Sequence, residues 1–119
     1  MATVLIVDDS TDLHQAMGFI LELEGHVIKS ATSKDDLMQE LSQYTPNVIM
    51  LDVQLSGENG REICREIKAM VHTADVPVIL MSANDITLKN YEECGAAGVI
   101  NKPFSLTELT DKIRATLYK

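Results

Sequence analysis

The chain has few aromatic residues and a deficit of positive charge. Aromatic residues make up 4% of its 119 residues and tryptophan is absent, which leaves little material for stacking nucleic-acid bases or for a cage around a cation. The 10 Lys and Arg residues against 18 Asp and Glu residues give a net charge of -8, and this charge repels a phosphate backbone. We therefore expect no direct binding to nucleic acid.

Long apolar runs and metal-binding cysteine or histidine patterns are also missing from the sequence. No apolar run approaches the roughly 20 residues that span a bilayer, and no basic and hydrophobic leader precedes the first strand-like run. We expect a cytoplasmic protein without membrane contact. Cys64 and Cys94 lack CxxC spacing and are predicted to be reduced packing residues. His14, His26 and His72 lack ligand-like spacing and are predicted to be solvated.

The amount of apolar and charged material is typical of one globular domain. Hydrophobic residues make up 45% and charged residues 24% of the chain, which argues against disorder. A chain of this length buries a core without disulfides or a partner. We predict one domain over residues 1–119.

Five strand-like runs alternate with five segments of helical periodicity. The runs are rich in Val, Ile and Leu, and they occupy 3–7, 27–28, 47–52, 76–81 and 99–101. Alternation of this kind predicts right-handed crossovers and a doubly wound α/β fold, with a parallel sheet between helices on both faces. The segment 53–60 is predicted to be a loop.

Capping residues mark the ends of three helices. Gly25 is predicted to end the first helix in a left-handed conformation. Ser33, with Asp36 three residues later, is predicted to begin the second helix. Ser105 and Glu108 form the pattern of a capping box at the start of the last helix.

The third and fourth helices carry weaker signals. Asn59 is predicted to cap the third helix, and Val71 falls on its apolar face. Asn84 or Asp85 is predicted to cap the fourth helix, whose apolar periodicity is poor. That periodicity depends on Ile86, Tyr91 and Cys94.

Polar residues follow four of the predicted strands. Asp8 and Asp9 follow the first, Asp52 ends the third, Ser82 follows the fourth and Lys102 follows the fifth. Since the carboxyl ends of parallel strands meet at one edge of a sheet, these side chains are predicted to converge there. Any one of them alone is equally well explained as a helix cap or a polar strand end.

The converging residues suit a phosphoryl site that contains a divalent cation. Three carboxylates repel one another, and Mg²⁺ is the cation that best relieves this repulsion with oxygen ligands. A lysine and a hydroxyl add donors for the peripheral oxygens of a phosphoryl group. A carboxylate then needs no base to act as a nucleophile.

Four short motifs give the sequence a resemblance to a known family. It resembles the receiver domain of two-component response regulators, including the chemotaxis regulators, over essentially the whole chain. The resemblance implies a flavodoxin-like sheet with strand order 2-1-3-4-5. The motifs are Val7-Asp8-Asp9-Ser10, Leu51-Asp52 with Gly60 after it, Met81-Ser82-Ala83 and Asn101-Lys102-Pro103-Phe104.

The resemblance also implies a role for each converging side chain. Asp52 takes a phosphoryl group from a histidine kinase or a phosphotransfer histidine. Asp9, Asp52 and the Gln54 carbonyl hold Mg²⁺ directly, and Asp8 acts through a water molecule. Ser82 is the switch hydroxyl. Lys102 pairs with the phosphoryl oxygens, and the Lys102-Pro103 bond is expected to be cis.

A receiver domain of this kind is a switch and not an enzyme acting on an external substrate. Its own chemistry is limited to self-phosphotransfer and autodephosphorylation. The expected partners are a sensor histidine kinase or phosphotransfer protein and an unknown output domain or protein. The domain is expected to be a monomer or a phosphorylation-dependent dimer.

Two residues depart from the family pattern. Val99 occupies the place of the usual switch Tyr or Phe, so the familiar aromatic rotamer change cannot report activation. Ser56 stands where proline is common, and this exchange is expected to make the loop after Asp52 more flexible.

Two other functions compete with the receiver interpretation. The Val99 substitution motivates a module of the same fold that binds partners without phosphorylation. A metal-dependent phosphatase is disfavoured because no second nucleophile or general acid accompanies Asp52.

Overall fold

The chain folds around a five-stranded parallel sheet. A computed structural model describes residues 2–84 and 89–118. Its strands are Thr3–Val7 (β1), Val27–Ala31 (β2), Val48–Asp52 (β3), Gln54–Leu55 (β4), Glu58–Asn59 (β5), Val78–Ser82 (β6) and Gly98–Asn101 (β7). The order in the main sheet is β2-β1-β3-β6-β7, and all four pairings are parallel. Counted without the small hairpin β4-β5, this is the predicted order 2-1-3-4-5.

Both faces of the sheet are covered, which explains why its central strands are apolar without interruption. Every residue of β3 and β6 is buried. Successive side chains of a strand point to opposite faces, and here each face has its own apolar cluster. One cluster includes Leu5, Val7, Ile49, Leu51, Val78 and Leu80. The other includes Val4, Ile6, Val48, Met50, Ile79 and Met81.

In the described part of the chain, four α-helices provide the covering layers. They are Thr11–Leu23 (α1), Lys34–Leu41 (α2), Gly60–Ala69 (α3) and Leu106–Leu117 (α4). Apolar residues of α2 and α3 belong to the first cluster, and those of α1 and α4 belong to the second. The prediction of helices on both faces of the sheet is confirmed.

The predicted helix ends agree with the structure at four places. Asn59 caps α3, as predicted, and its side-chain oxygen accepts a hydrogen bond from the Arg61 amide at 2.9 Å. The Ser33 hydroxyl accepts a hydrogen bond from the Asp36 amide at 3.1 Å. Ser105 and Glu108 form the full capping box. Gly25, just after α1, has a φ of +89°, a conformation that glycine adopts without steric cost.

The third helix ends earlier than its apolar pattern predicts. α3 stops at Ala69, and Val71 is 98% exposed. In a continuing helix the Ile67 carbonyl would accept from the amide of residue 71. Instead it accepts from the Met70 amide at 3.2 Å and from the buried Thr73 hydroxyl at 2.6 Å. The prediction that Val71 lines the helix was therefore wrong.

The connection between β6 and β7 differs from the predicted fourth α-helix. Among the residues that the structure describes there, the helical element is a 3₁₀ turn, Tyr91–Cys94. Asn90 precedes it with a left-handed φ of +54°, and Gly95 follows with a φ of +88°. Both interrupt an α-helical path. The alternative cap Asp85 and the apolar Ile86 lie outside the described residues.

Two other elements extend beyond their predictions. β2 continues to Ala31 because it pairs with β1 along its whole length. Residues 53–60 contain the antiparallel hairpin β4-β5, where a loop was expected.

Cys64 and Cys94 are free and buried, as predicted. Burial together with the nearby Cys94 raises the pKa of Cys64 to about 12.

Within residues 2–84 and 89–118, every helix is too short or too polar to cross a bilayer.

Candidate functional site

Asp52 is the last residue of β3 and is buried at the carboxyl edge of the sheet. Its Oδ1 accepts a hydrogen bond from the Gln54 amide at 3.0 Å, and its Oδ2 lies 3.2 Å from Lys102 Nζ. Burial raises the pKa of Asp52, and the charge of Asp8 adds to this rise, although Gln54 and Lys102 oppose it. The carboxyl is therefore more easily protonated than an exposed aspartate.

Asp8 follows β1, the neighbour of β3 in the sheet, and is 1% exposed. Its Oδ2 lies 2.5 Å from Lys102 Nζ, and its Oδ1 accepts from the Ser10 amide at 2.9 Å. Its backbone carbonyl lies 2.5 Å from Nε2 of His14. The predicted solvation of His14 was wrong, since this ring is part-buried against the site.

Asp9 is the exposed member of the acidic group. Its Oδ2 accepts from the Ser56 hydroxyl at 2.8 Å and from the Ser56 amide at 3.1 Å. The Ser56 hydroxyl is the main cause that lowers the pKa of Asp9. Asp9 therefore remains ionised at neutral pH.

Lys102 follows β7 and joins the two buried carboxylates. Burial alone would lower the pKa of Lys102, but the hydrogen bond to Asp8 and the charges of Asp52 and Asp8 raise it overall. Its ammonium is therefore charged at neutral pH. The Lys102-Pro103 peptide bond is cis, as the family resemblance implied.

The three acidic groups match the requirements of a divalent cation site. Asp8, Asp9 and Asp52 each offer one oxygen, and these oxygens lie within 4.8 Å of one another. An octahedral Mg²⁺ with ligands at about 2.0–2.1 Å separates those ligands by about 2.9 to about 4.2 Å. Counted formally, three carboxylates and the ammonium of Lys102 carry a charge of -2 (-3 and +1). The proximity of the three oxygens and the negative charge of the group favour a divalent cation at this site.

Ser82 and Gln54 lie next to these carboxylates along the chain or the sheet. Ser82 is the buried last residue of β6, one position beyond Met81, which pairs with Asp52. Its hydroxyl accepts from the Asn84 amide at 3.0 Å. Gln54 contacts Asp52 through its backbone amide. The roles of the Ser82 hydroxyl and the Gln54 carbonyl stay predictions.

Gly60 fixes the start of α3 directly against the strand end that carries Asp52. Its amide donates to the Val53 carbonyl at 2.7 Å. A Cβ at this position would lie 2.2 Å from the Asp52 carbonyl oxygen and 2.7 Å from Val53 Cα. Only glycine fits here, because of close packing and not because of an unusual φ.

Arg61 links α3 to the turn before the 3₁₀ segment. Its guanidinium donates to the carbonyls of Lys89 and Asn90 at 2.6 and 2.7 Å. The start of α3, which adjoins Asp52, is thus connected directly to residues 89 and 90.

Val99 lies in β7 opposite Leu80 and packs, partly buried, against the first apolar cluster.

We expect Asp52→Asn to raise the melting temperature by a few degrees in EDTA at pH 7. An acid with a raised pKa holds its proton more tightly in the folded state. Its favourable contribution is complete below the ordinary value of 3.8 and is lost as the pH rises through the folded-state pKa. At pH 7 the folded state pays the free-energy cost of keeping a buried carboxylate ionised, and Asp52→Asn removes that cost. At low pH, where Asp52 is protonated, the melting temperatures of the two proteins should converge.

A control for the melting-temperature measurement is the same Asp→Asn change at an exposed carboxyl outside the site. Asp75→Asn, at an exposed position, should leave the melting temperature nearly unchanged. A lower melting temperature for Asp52→Asn than for the unmodified chain in EDTA would contradict the prediction.

Comparison with known proteins identifies the class of this chain. It matches the response regulator receiver domain family over residues 4–114. The chain therefore belongs to that family, which consists of two-component signalling modules and not of classical enzymes.

Three solved structures show the same fold in chains of different length. NtrX from Brucella abortus is 28% identical with a TM-score of 0.90, and the match covers 98% of this chain and 26% of NtrX. The signal receiver domain of a signal transduction histidine kinase from Syntrophus aciditrophicus is 27% identical with a TM-score of 0.88, with 98% and 90% covered. The chemotaxis response regulator CheY4 of Vibrio cholerae is 24% identical with a TM-score of 0.91, with 98% and 99% covered; this likeness concerns the fold alone.

Proposed function

We propose that residues 1–119 form a phosphoacceptor receiver domain in which Asp52 accepts the phosphoryl group. The observation that carries the proposal is the contact of the Lys102 ammonium with the buried carboxylates of Asp8 and Asp52. It places a fixed positive charge beside a buried carboxylate at the carboxyl edge of a doubly wound sheet, where ligands of such sheets bind.

The proposed transfer forms one bond and breaks one. A carboxylate oxygen of Asp52 attacks the phosphorus of a phosphohistidine, the P–N bond breaks, and its electron pair stays on the departing imidazole, which takes a proton from solvent. The product is an acyl phosphate. Because the transition state is loose, positioning and charge neutralisation provide most of the acceleration. Lys102 holds the phosphoryl oxygens, and the Ser82 hydroxyl hydrogen-bonds to them afterwards.

Mg²⁺ is the proposed cofactor. Asp9, Asp52 and the Gln54 carbonyl would hold it directly, and Asp8 would act through a water molecule. When bound, it neutralises charge on the phosphoryl oxygens. Asp8 also keeps Lys102 in place. The modified state then reverts by hydrolysis of the acyl phosphate, so self-phosphotransfer and autodephosphorylation are the only reactions proposed.

The proposed partners follow from the family. A sensor histidine kinase or a phosphotransfer protein donates the phosphoryl group, and an output domain or protein responds. The phosphorylated state shifts an existing equilibrium between two conformations. The domain acts in the cytoplasm as a monomer or as a phosphorylation-dependent dimer, without direct contact to nucleic acid or membrane.

The interpretation as a phosphate-independent binding module is not favoured. It was motivated by Val99, which packs against the first apolar cluster, whereas the contact of Lys102 with Asp8 and Asp52 supports phosphoacceptance. A module that signals without phosphate has no need to keep this charged group buried.

Phosphorylation of Asp52 is tested by incubation with Mg²⁺ and acetyl phosphate, followed by intact-mass measurement. The unmodified chain should gain one phosphoryl mass, and peptide mapping should place it on Asp52. Asp52→Asn should gain none, EDTA should abolish labelling, and Asp75→Asn should be labelled normally. An unlabelled chain, or equal labelling of Asp52→Asn, would overturn the proposal.

A further inference from the structure

The turn between β4 and β5 has an unusual backbone for its sequence. Its two central residues, Ser56 and Gly57, have φ values of +29° and +85°. Positive φ at both positions is typical of the two-residue type I′ hairpin turn, where Asn, Asp or Gly is preferred at the first position. Serine at this position is strained. Another interaction must therefore favour Ser56 in this conformation.

That interaction is with Asp9, 47 residues earlier in the chain. Both donors of Ser56, its amide and its hydroxyl, point to the same atom, Oδ2 of Asp9, at 3.1 and 2.8 Å. Proline, the residue that is common at this place in the family, has neither an N–H nor a hydroxyl. The departure from the family pattern thus adds two hydrogen bonds. It does not simply loosen the loop, as the sequence alone suggested.

The two hydrogen bonds restrict the exposed member of the acidic group. Asp8 and Asp52 are buried and held by Lys102, whereas the Asp9 side chain is exposed. Without Ser56, Asp9 would lose entropy when it became fixed at a metal ion. Because both donors converge on Oδ2, they leave Oδ1 unoccupied by Ser56. Asp9 is one of the three residues whose oxygens lie within 4.8 Å of one another.

We propose that Ser56 is a positioning residue for Mg²⁺ binding, which holds Asp9 ready to coordinate the ion. The inference uses the metal site of the proposed function and assigns to it a residue that touches neither the metal nor the phosphoryl group. Hydrogen-bond partners of ligating carboxylates typically change metal affinity by about 10–100-fold. Ser56 should contribute at the lower end of this range, because the backbone amide remains when the hydroxyl is removed.

Two substitutions separate positioning from turn stability. Ser56→Ala and Ser56→Gly both delete the hydroxyl, but only glycine relieves the strain of a positive φ. In EDTA, Ser56→Gly should therefore unfold at a higher temperature than Ser56→Ala. Isothermal titration with Mg²⁺ should show about a 10-fold loss of affinity for both. If affinity follows turn stability, so that Ser56→Gly binds Mg²⁺ as tightly as the unmodified chain, the proposal is overturned.

A second background shows whether Ser56 acts through Asp9. In the Asp9→Ala chain, the further change Ser56→Ala should leave the Mg²⁺ affinity unchanged, since the side chain that it positions is gone. An equal loss with and without Asp9 would overturn the proposal.

The unmodified chain distinguishes this inference from the proposed function. If it is labelled on Asp52 and binds Mg²⁺, but both Ser56 variants bind Mg²⁺ equally well, only the role of Ser56 fails. If it binds no Mg²⁺ at all, the metal site and the role of Ser56 fail together.

Discussion

Lys102→Met is expected to lower both the rate of Asp52 labelling and the stability of the fold. Methionine keeps much of the apolar length of lysine but removes the ammonium that contacts Asp8 and Asp52. Loss of one preorganised cationic or donor group at a reacting centre typically costs about 100-fold or more in rate. We therefore expect the acetyl phosphate reaction to slow by about 100-fold, measured by intact mass over time.

The stability effect of Lys102→Met has a separate cause. Asp8 is 1% exposed, and removal of the Lys102 ammonium leaves its carboxyl group buried without an ion-pair partner. Breaking a buried pair in this way typically costs about 3 kcal/mol or more. Urea unfolding in EDTA should show this loss, and Mg²⁺ should reduce it because the cation replaces part of the missing charge.

The pH dependence of this contribution follows from the direction of the Lys102 pKa shift. A lysine whose pKa is raised in the folded state stabilises the fold fully below its ordinary pKa, and this stabilisation is lost as the pH rises through the folded-state value. The difference between Lys102→Met and the unmodified chain should therefore persist at neutral pH, shrink in strongly alkaline solution as Lys102 loses its proton, and also shrink in acid as Asp52 becomes protonated.

Lys34→Met is the matched control for Lys102→Met. Lys34 also pairs with an acid, Glu66, but in solvent, where ion pairs contribute little. It should leave labelling unchanged and stability nearly unchanged. If Lys102→Met were as stable and as rapidly labelled as Lys34→Met, the assigned role of Lys102 would be wrong.

Gly60→Ala is expected to destabilise the protein by at least about 3 kcal/mol. The added Cβ would lie 2.2 Å from the Asp52 carbonyl oxygen, and backbone atoms cannot rotate away as a flexible side chain can. Either α3 or the end of β3 must shift. Equilibrium unfolding in urea should show a lower midpoint, and labelling of Asp52 should fall even where the chain is still folded.

Gly18→Ala is the matched control because it makes the same chemical change inside α1. A Cβ at Gly18 meets its nearest neighbours at 3.8 Å, which is ordinary van der Waals contact. Alanine is favoured over glycine in a helix by about 0.5–1 kcal/mol. The two Gly→Ala variants should therefore change stability in opposite directions. A destabilisation of similar size in both would contradict the close packing described for Gly60.

The sequence was sufficient to predict the sheet and the convergence of the acidic residues. Residues 48–51 are buried on both faces of the sheet. A strand covered on both faces is a continuous apolar run, so it can be recognised from composition alone. The positions of Asp8, Asp52 and Lys102 follow from parallel strands, whose carboxyl ends meet at one edge. The capping box of Ser105 and Glu108 was equally predictable because all its contacts are local.

The features that escaped prediction depend on contacts between distant residues or on backbone conformation. α3 ends early where the Met70 amide and the Thr73 hydroxyl bind the Ile67 carbonyl, and periodicity carries no signal of this. The left-handed Asn90 precedes a 3₁₀ turn where a longer helix was expected. The contact of Ser56 with Asp9 requires a strained turn to meet a strand end 47 residues away, which no local pattern reveals.

The contacts of the site span most of the chain. Lys102 meets Asp8 across 94 positions and Asp52 across 50. A growing polypeptide therefore lacks its ammonium until nearly all of the domain has been synthesised, and a denatured one has no site at all. Under the proposed function, a phosphoryl group on Asp52 is thus a record that the whole domain had folded. In a partly denatured sample, the labelled fraction counts the native molecules.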